Sequence, residues 1–301
     1  MKTKFSLLIA ILVLGSASVF AQLTLPRASQ RQNISQTVGD TQIALVYDRP
    51  NVKARQIWGC QTTDVIPKGE TTYPCLVPYG QVWRTGADEN TTFEVTNDVK
   101  INGQTLPAGK YGLHTIPGKD EWIVIFNKVN DAWGSFSYKQ ENDQLRVKAK
   151  PQTADFQETM SLGFENVKPN AADVVIRWEK MRVPFTVDVG DVSGRVFNNI
   201  RKQIVAAKAD DFRTPATGAS WVFNEKMTAN YPEALTWIDK SLAIRETFGG
   251  LNLKAQMLAA SGKKAEAIAT AEKAIQVGKA ATPAVDTGNL EKMVREWKSS
   301  Q

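Results

Sequence analysis

The stretch TTFEVTNDVKINGQTLPAGKYGLHTIPG, residues 91–118, decides the fold of the N-terminal half of the chain. It holds three candidate strands that are separated by turn residues. Asn97-Asp98 and Asn102-Gly103 are turn signals, and Pro107 with Gly109 marks the next break. Because no helical spacing separates these short strands, the pattern predicts antiparallel neighbours.

The same strand pattern extends on both sides of this stretch. Further short segments of strand character, each bounded by turn residues, are TQIALVYDRP, EWIVIFNK, QLRVKAK, TMSLGFENV, ADVVIRWEK and MRVPFTVDV. Each sheet built from such strands must hide one face, so we predict an antiparallel β-sandwich over residues 22–189. An Ig-like and a jelly-roll-like arrangement both remain open at this point.

After Gly190 the apolar spacing becomes helical, and residues 190–301 are predicted to be an all-α tail. YPEALTWIDKSLAIR and KKAEAIATAEKAIQVG align at an offset of 33 residues, which resembles the second helix of a tetratricopeptide repeat. LNLKAQMLAASG is predicted to be the first helix of the later unit. Because such repeats bury a core only by stacking, we expect the tail also to contact the β domain.

The first 21 residues have the features of a cleaved export signal. Lys2 and Lys4 precede an apolar run, and small residues lead to a cleavage point after Ala21. The run is shorter than the roughly 20 residues that a membrane span needs. We therefore expect a periplasmic or secreted protein with no membrane span in the mature chain. Removing the two lysines reduces the formal charge from +6 to +4 without leaving a basic run, so no nucleic-acid partner is expected.

The chain has two cysteines, Cys60 and Cys75, and we predict a disulfide between them. The loop that this bond would close is polar and rich in turn residues. A redox or metal pair is the alternative, but neither a CxxC spacing nor a neighbouring histidine supports it.

Four ordered motifs resemble the family known as domain of unknown function 2911: YDRP…ARQIWG, LVPYGQVWRTGADENT, LPAGKYGLHTIPG and DAWGSFSY. The resemblance covers about residues 28–189 and implies a secreted or envelope protein with a β-rich domain, in some members followed by helical repeats. It implies no activity. Between Gly59 and Leu76 this chain is longer than the family pattern, and the insertion holds both cysteines.

The motif around Arg84 is the candidate ligand site. Tyr79, Trp83 and Trp133 offer flat apolar faces, while Arg84 and Asp88 offer polar groups, a combination that suits a sugar or a peptide. In the alternative interpretation, Arg84 holds the carboxylate of Asp88 or Glu89 bidentately to fix a loop, and Trp83 fills the core.

A catalytic interpretation has less support in the residues. The candidates are His114, Asp88 and Glu89. His114 is the one histidine of the chain, which excludes a multi-histidine metal site. Asp88 and Glu89 point to opposite faces if the strand is extended, so either would act more easily with a distant carboxylate such as Asp48. No metal or cofactor is expected. Asp48 and Arg49 are interpreted as a strand-end ion pair.

The sequence therefore favours a non-catalytic binding or scaffolding module of the cell envelope. Its helical tail would bind a protein partner, and its sandwich would bind a sugar or peptide. The alternative is a hydrolase of envelope glycans or peptides that uses His114 with Asp88 or Glu89 as acid and base.

Overall fold

The N-terminal part of the chain forms β-strands, and the C-terminal part forms α-helices. A computed structural model describes residues 26–60 and 74–299, and the predicted export signal lies outside them. In this part of the chain, strands run from Gln30 to Asp188 and α-helices from Val192 to Ser299. The strands form a six-stranded and a four-stranded sheet in which all pairings are antiparallel. The predicted fold class, two antiparallel sheets followed by an all-α region, is confirmed.

The larger sheet has the order β1-β2-β3-β6-β7-β8. Its strands are β1 (Gln30–Val38), β2 (Thr41–Arg49), β3 (Thr92–Val95), β6 (Gly109–Ile116), β7 (Trp122–Asn127) and β8 (Asp143–Ala149). The smaller sheet has the order β5-β4-β10-β9. Its strands are β4 (Val99–Ile101), β5 (Gln104–Leu106), β9 (Gln152–Glu165) and β10 (Ala171–Asp188).

Residues 91–118 pass from one sheet to the other and back. After β3 the chain forms the β4–β5 hairpin in the smaller sheet and then returns to place β6 beside β3. Asn102 and Gly103 form the hairpin turn with φ values of 45° and 86°, the backbone that an Asn-Gly pair favours. The stretch contains four strands, one more than predicted, and the predicted breaks at Asn97-Asp98, Asn102-Gly103 and Pro107 separate them.

The segments ADVVIRWEK and MRVPFTVDV form one strand, β10, and not two. Its register against β9 shifts on both sides of Glu179, which has a φ of 55°. A bulge of this kind bends a strand without ending it. The long β9–β10 hairpin forms most of the smaller sheet.

The main core lies between the sheets. Phe93 of β3 contacts Phe126 of β7 at a ring distance of 5.0 Å and Phe185 of β10 at 6.3 Å. Trp122 and Trp178 are also fully buried. The alternation of apolar and polar residues places these side chains on the inner faces, since successive strand residues point to opposite sides.

The helices are α1 (Val192–Ala206), α2 (Arg213–Asn224), α3 (Tyr231–Ile244), α4 (Phe248–Ala260), α5 (Lys264–Ala280) and α6 (Gly288–Ser299). Helices α3 and α5 carry the 33-residue repeat. Ala234 and Ala267, Ile238 and Ala271, and Ser241 and Ala274 are all buried, while the flanking pairs Leu235 with Ile268 and Leu242 with Ile275 are all partly buried. The aligned positions thus share the same environment in both helices.

The tail contacts the β domain at the turn between β1 and β2. Arg195 of α1 forms an ion pair with Asp40 at 2.6 Å. A methyl group added to Gly39 would lie 2.5 Å from the Val192 side chain, so the start of α1 packs closely on this turn. The helical tail therefore packs against the sandwich, as expected for a tail with so few repeats.

Cys60 and Cys75 form the predicted disulfide, with their Cα atoms 5.8 Å apart. Both residues are buried. The intervening residues 61–73 lie outside the described part of the chain. Among the helices that the structure describes, none has the length and apolar character needed to cross a membrane.

Candidate functional site

Residues 83–91, here called the arginine loop, precede β3 at one rim of the larger sheet. The loop is fixed by backbone hydrogen bonds from Trp83, Ala87 and Asn90 to the carbonyl oxygens of Thr115, Asp48 and Ala132, at 2.7, 3.2 and 2.9 Å respectively. These acceptors belong to the three other motifs of the chain. The motif segments, which are separate in sequence, therefore meet at this loop.

Arg84 lies at the centre of this meeting point and is half-buried. Its Nη1 donates a hydrogen bond to the backbone carbonyl of Asp88 at 2.6 Å. Its guanidinium carbon lies 5.3 Å from the ring centroid of Phe136. A Cβ at Gly134 would be 2.8 Å from the same carbon, so glycine there allows the backbone to approach the guanidinium.

Arg84 has no carboxylate partner within 4.0 Å among the described residues. The predicted bidentate grip of Arg84 on Asp88 or Glu89 is wrong. Asp88 has a φ of 52°, and its carbonyl oxygen takes the place that the carboxylate was expected to fill. Burial lowers the pKa of Arg84, and the nearby charge of Asp88 opposes that shift only in part.

Glu89 and Asp48 are held by arginines near the N-terminus. Arg27 donates to both oxygens of Glu89, at 2.7 Å from its Nη2, and its Nη1 lies 3.4 Å from Asp48. Arg31 Nη1 lies 2.9 Å from Asp48 and 3.2 Å from Glu89. The hydrogen bond from Arg27 lowers the pKa of Glu89 to about 2, whereas burial raises the pKa of Asp48. Both carboxylates are therefore already engaged by guanidinium groups.

The predicted ion pair between Asp48 and Arg49 is not formed. Arg49 instead donates from Nε to the backbone carbonyl of Met160 at 2.8 Å. Adjacent residues of a strand point to opposite faces, so Asp48 and Arg49 reach different neighbours.

Trp83 joins the rim to the core. Its ring stacks on Trp178 at 5.9 Å, and its edge contacts involve Trp58 at 5.6 Å and Trp122 at 6.3 Å. Its Nε1 donates to the carbonyl of Gly86 at 3.1 Å. Trp83 is nevertheless only partly buried, and it also contributes to the wall of a cavity at the rim.

This cavity, here called the rim cavity, has a volume of about 270 Å³. It brings together three predicted ligand residues, Trp83, Arg84 and Asp88. Arg55 contributes a second guanidinium. The remaining lining residues are Ser29, Pro50, Leu76, Gly86 and Ala87.

The other two predicted ligand residues are not part of the cavity wall. Trp133 is 60% exposed and lies on the neighbouring loop, residues 128–139, where it forms an isolated backbone bridge with Glu89. Phe136 on the same loop is 83% exposed. Tyr79 packs against the core, and its backbone nitrogen donates to Cys60. The structure thus groups Trp133 with the arginine loop and leaves Tyr79 outside the cavity.

His114 is buried on β6 and does not line the rim cavity. Its Nδ1 is 2.9 Å from the Ser135 hydroxyl, and its ring contacts Tyr138 edge-on at 5.2 Å. Burial, with a further contribution from the charge of Arg84, lowers its pKa to about 4. His114 is therefore a neutral, enclosed group near neutral pH. His114 and Glu89 do not line the rim cavity to which Asp88 contributes, whereas a joint acid-base role would require a shared open site.

Sequence reasoning missed several residues that build this site. Arg27 and Arg31 form ion pairs with Glu89 and Asp48. Phe136 contacts Arg84, and Ser135 contacts His114. The DAWGSFSY motif carried a signal for Phe136 and Ser135, since it was singled out without a role for them. Arg27 and Arg31 had no local signal, because their partners lie far away in sequence. Arg55 belongs to the quoted motif ARQIWG, but no pattern in the sequence indicated its role.

Gly112 supplies a stability prediction for the site. A Cβ there would overlap the Asn90 side-chain oxygen and the backbone carbonyl oxygen of Val129. We expect Gly112→Ala to lower the free energy of unfolding by about 2 kcal/mol, because the backbone cannot move away easily. The control is Gly163→Ala on β9, where a Cβ would meet no atom within 4 Å. Equal urea midpoints for the two variants would contradict the packing described.

The described residues thus form two antiparallel sheets followed by a helical tail, and the segments that carry the four motifs meet around Arg84. The chain belongs to the family described as Protein of unknown function (DUF2911), whose model matches residues 29–187. No curated protein and no solved structure gives a significant match.

Proposed function

We propose that this protein is a non-catalytic binding module of the cell envelope, and that its ligand, a sugar or a short peptide, occupies the rim cavity. One observation carries the proposal. Arg84 is held in the cavity wall by a backbone carbonyl and an aromatic ring, yet the described residues offer its charge no carboxylate within 4.0 Å. Leaving a half-buried cation in this state costs free energy, which a ligand would recover.

The surroundings of Arg84 support a site that is formed before the ligand arrives. The guanidinium is packed against Phe136 on one side and approached by Gly134 on another. Trp83 presents an aromatic wall, and Trp133 and Phe136 add exposed aromatic surface nearby. A small concave site with aromatic walls and few fixed polar groups is typical of small-ligand binding.

The residues of the hydrolase alternative are engaged in other contacts. His114 faces Ser135 and is buried, and Glu89 is held by Arg27. The described residues also contain no group of three or more potential metal ligands. These contacts favour a binding role over acid-base chemistry.

A location outside the cytosol is part of the proposal. It rests on the export signal expected at residues 1–21 and on the buried disulfide, because structural disulfides persist mainly in oxidising compartments. The tail would add a protein partner. A groove of about 460 Å³ between α2 and α4, with Trp221 and Leu253 in its wall, offers a surface for such a contact.

The test is a thermal-shift screen of the full chain against neutral and charged saccharides and short peptides. A ligand that raises the melting temperature of the wild type should lose at least about tenfold in affinity in Arg84→Gln, because one charged hydrogen bond contributes about 1.5–3 kcal/mol. Trp133→Ala, at an exposed position, should weaken the same ligand.

Arg245→Gln is the matched control, since Arg245 packs on Phe212 at 5.0 Å in the tail, much as Arg84 packs on Phe136. It should leave binding unchanged. A ligand that binds equally well to wild type and Arg84→Gln would contradict the proposed site.

A further inference from the structure

We infer that the ligand group recognised in the rim cavity is a carboxylate. The inference rests on the proposed function and narrows it. The shared chemistry could come from a sugar acid or from the C-terminus of a peptide.

The charges of the cavity wall support an anion. Arg55 and Arg84 both line the cavity, whereas Asp88 is its one carboxylate among the described lining residues. The described part of the wall therefore carries one positive charge in excess. A concave site with a positive potential raises the local concentration of anions near its hydrogen-bond donors.

Both guanidinium groups are positioned by hydrogen bonds to backbone carbonyls. Arg55 donates from Nε to Val52 at 3.1 Å and from Nη2 to Asn51 at 2.6 Å. Arg84 uses Nη1 on the Asp88 carbonyl. Neither forms an ion pair with any carboxylate that the structure describes, and Arg84 Nε and Nη2 make no hydrogen bond to a described residue.

Other arginines at the same rim behave differently. Arg27 and Arg31 satisfy their charge on Glu89 and Asp48, which lie outside the cavity wall. At this rim the carboxylates of Asp48 and Glu89 are thus paired with arginines, whereas Arg55 and Arg84 form no ion pair with a described carboxylate. A planar guanidinium recognises a carboxylate with two parallel hydrogen bonds, which makes this group the best match to the available donors.

His114 provides a built-in reporter for this site. It is the one histidine of the chain, and the charge of Arg84 is among the causes that hold its pKa down. Among the described residues, Tyr138 is a second ionisable group packed against His114, and it donates to Asp143 at 2.6 Å. A carboxylate bound to Arg84 would compensate that charge and raise the pKa of His114, while a neutral ligand would not.

The experiment uses two matched pairs of probes at constant ionic strength: glucuronate with glucose, and N-acetylglycine with its amide. Affinity is measured by calorimetry and the His114 ring signals by NMR on the untagged chain. We expect at least one acid to bind about tenfold or more tightly than its neutral partner and to raise the pKa of His114. The acid that binds better identifies the source of the carboxylate.

Three variants sharpen the result. Arg84→Gln should abolish the preference for the acid, and Arg245→Gln should retain it. Asp88→Asn should strengthen binding of the acid alone, because it removes a like charge from the wall. Asparagine tolerates the left-handed backbone of this position, where φ is 52°.

Equal affinity for acid and neutral partners, or a preference that persists in Arg84→Gln, would overturn the inference. If neutral ligands bind in an Arg84-dependent way, the proposed function stands and only the carboxylate is excluded. If neither the four probes nor the wider screen gives Arg84-dependent binding, both proposals fail.

Discussion

Replacing Trp122 with alanine is expected to lower the free energy of unfolding by about 3 to 5 kcal/mol, the cost of deleting a large aromatic side chain from a packed core. Trp122 is fully buried and meets Trp58 edge-on at 5.2 Å. Trp83, which lines the rim cavity, belongs to the same cluster at 6.3 Å. Loss of Trp122 would therefore loosen the wall of the candidate site as well as the core.

Trp122→Phe is the control for this prediction. The indole Nε1 of Trp122 is buried and has no hydrogen-bond partner among the described residues. Phenylalanine would keep most of the aromatic contact without this unsatisfied donor, so its cost should be well below that of alanine. Urea unfolding of both variants checks the difference. A cost below about 1 kcal/mol for alanine would contradict the packing of the cluster.

Acidification is expected to destabilise the fold through His114, by about 3 kcal/mol in total. The pKa of His114 is about 4 in the folded protein, against about 6.5 for an unperturbed histidine. Between these two pH values His114 is protonated in the unfolded chain but neutral in the folded protein, so the free energy of unfolding falls as the pH falls. The loss should proceed at about 1.4 kcal/mol per pH unit and end below the folded pKa.

His114→Asn separates this effect from the carboxylates that also titrate in acid. Asparagine does not titrate and keeps a polar group near the Ser135 hydroxyl, which faces His114 Nδ1 at 2.9 Å. Stability measured against pH should therefore decline less steeply in the variant over that range. Identical slopes for wild type and variant would mean that His114 is not held neutral by its surroundings.

The sequence predicted much of the fold because the signals were local. Alternation and turn residues indicated the strands, and the Asn102-Gly103 pair adopts the backbone that such turns favour. The 33-residue offset in the tail matched positions that have the same burial in α3 and α5. The division of β10 was predicted wrongly, because a bulge at Glu179 looks like a strand end in the sequence.

The site was less accessible to prediction because its contacts are long-range. Arg84 was singled out for its donors, but its acceptor is a carbonyl whose position depends on the left-handed backbone of Asp88. The partner of Glu89 is Arg27, which lies 62 residues away. A residue pattern can indicate that a charge will be satisfied, but only the fold determines which partner reaches it.

The most direct test is the pKa of His114 measured by NMR in wild type, Arg84→Gln and Arg245→Gln. If the motif segments meet as described, Arg84 lies beside His114, and its charge helps to keep that pKa near 4 in the wild type. The pKa should then rise in Arg84→Gln and stay unchanged in Arg245→Gln. The same pKa in all three proteins would contradict the position of Arg84 on which the candidate site depends.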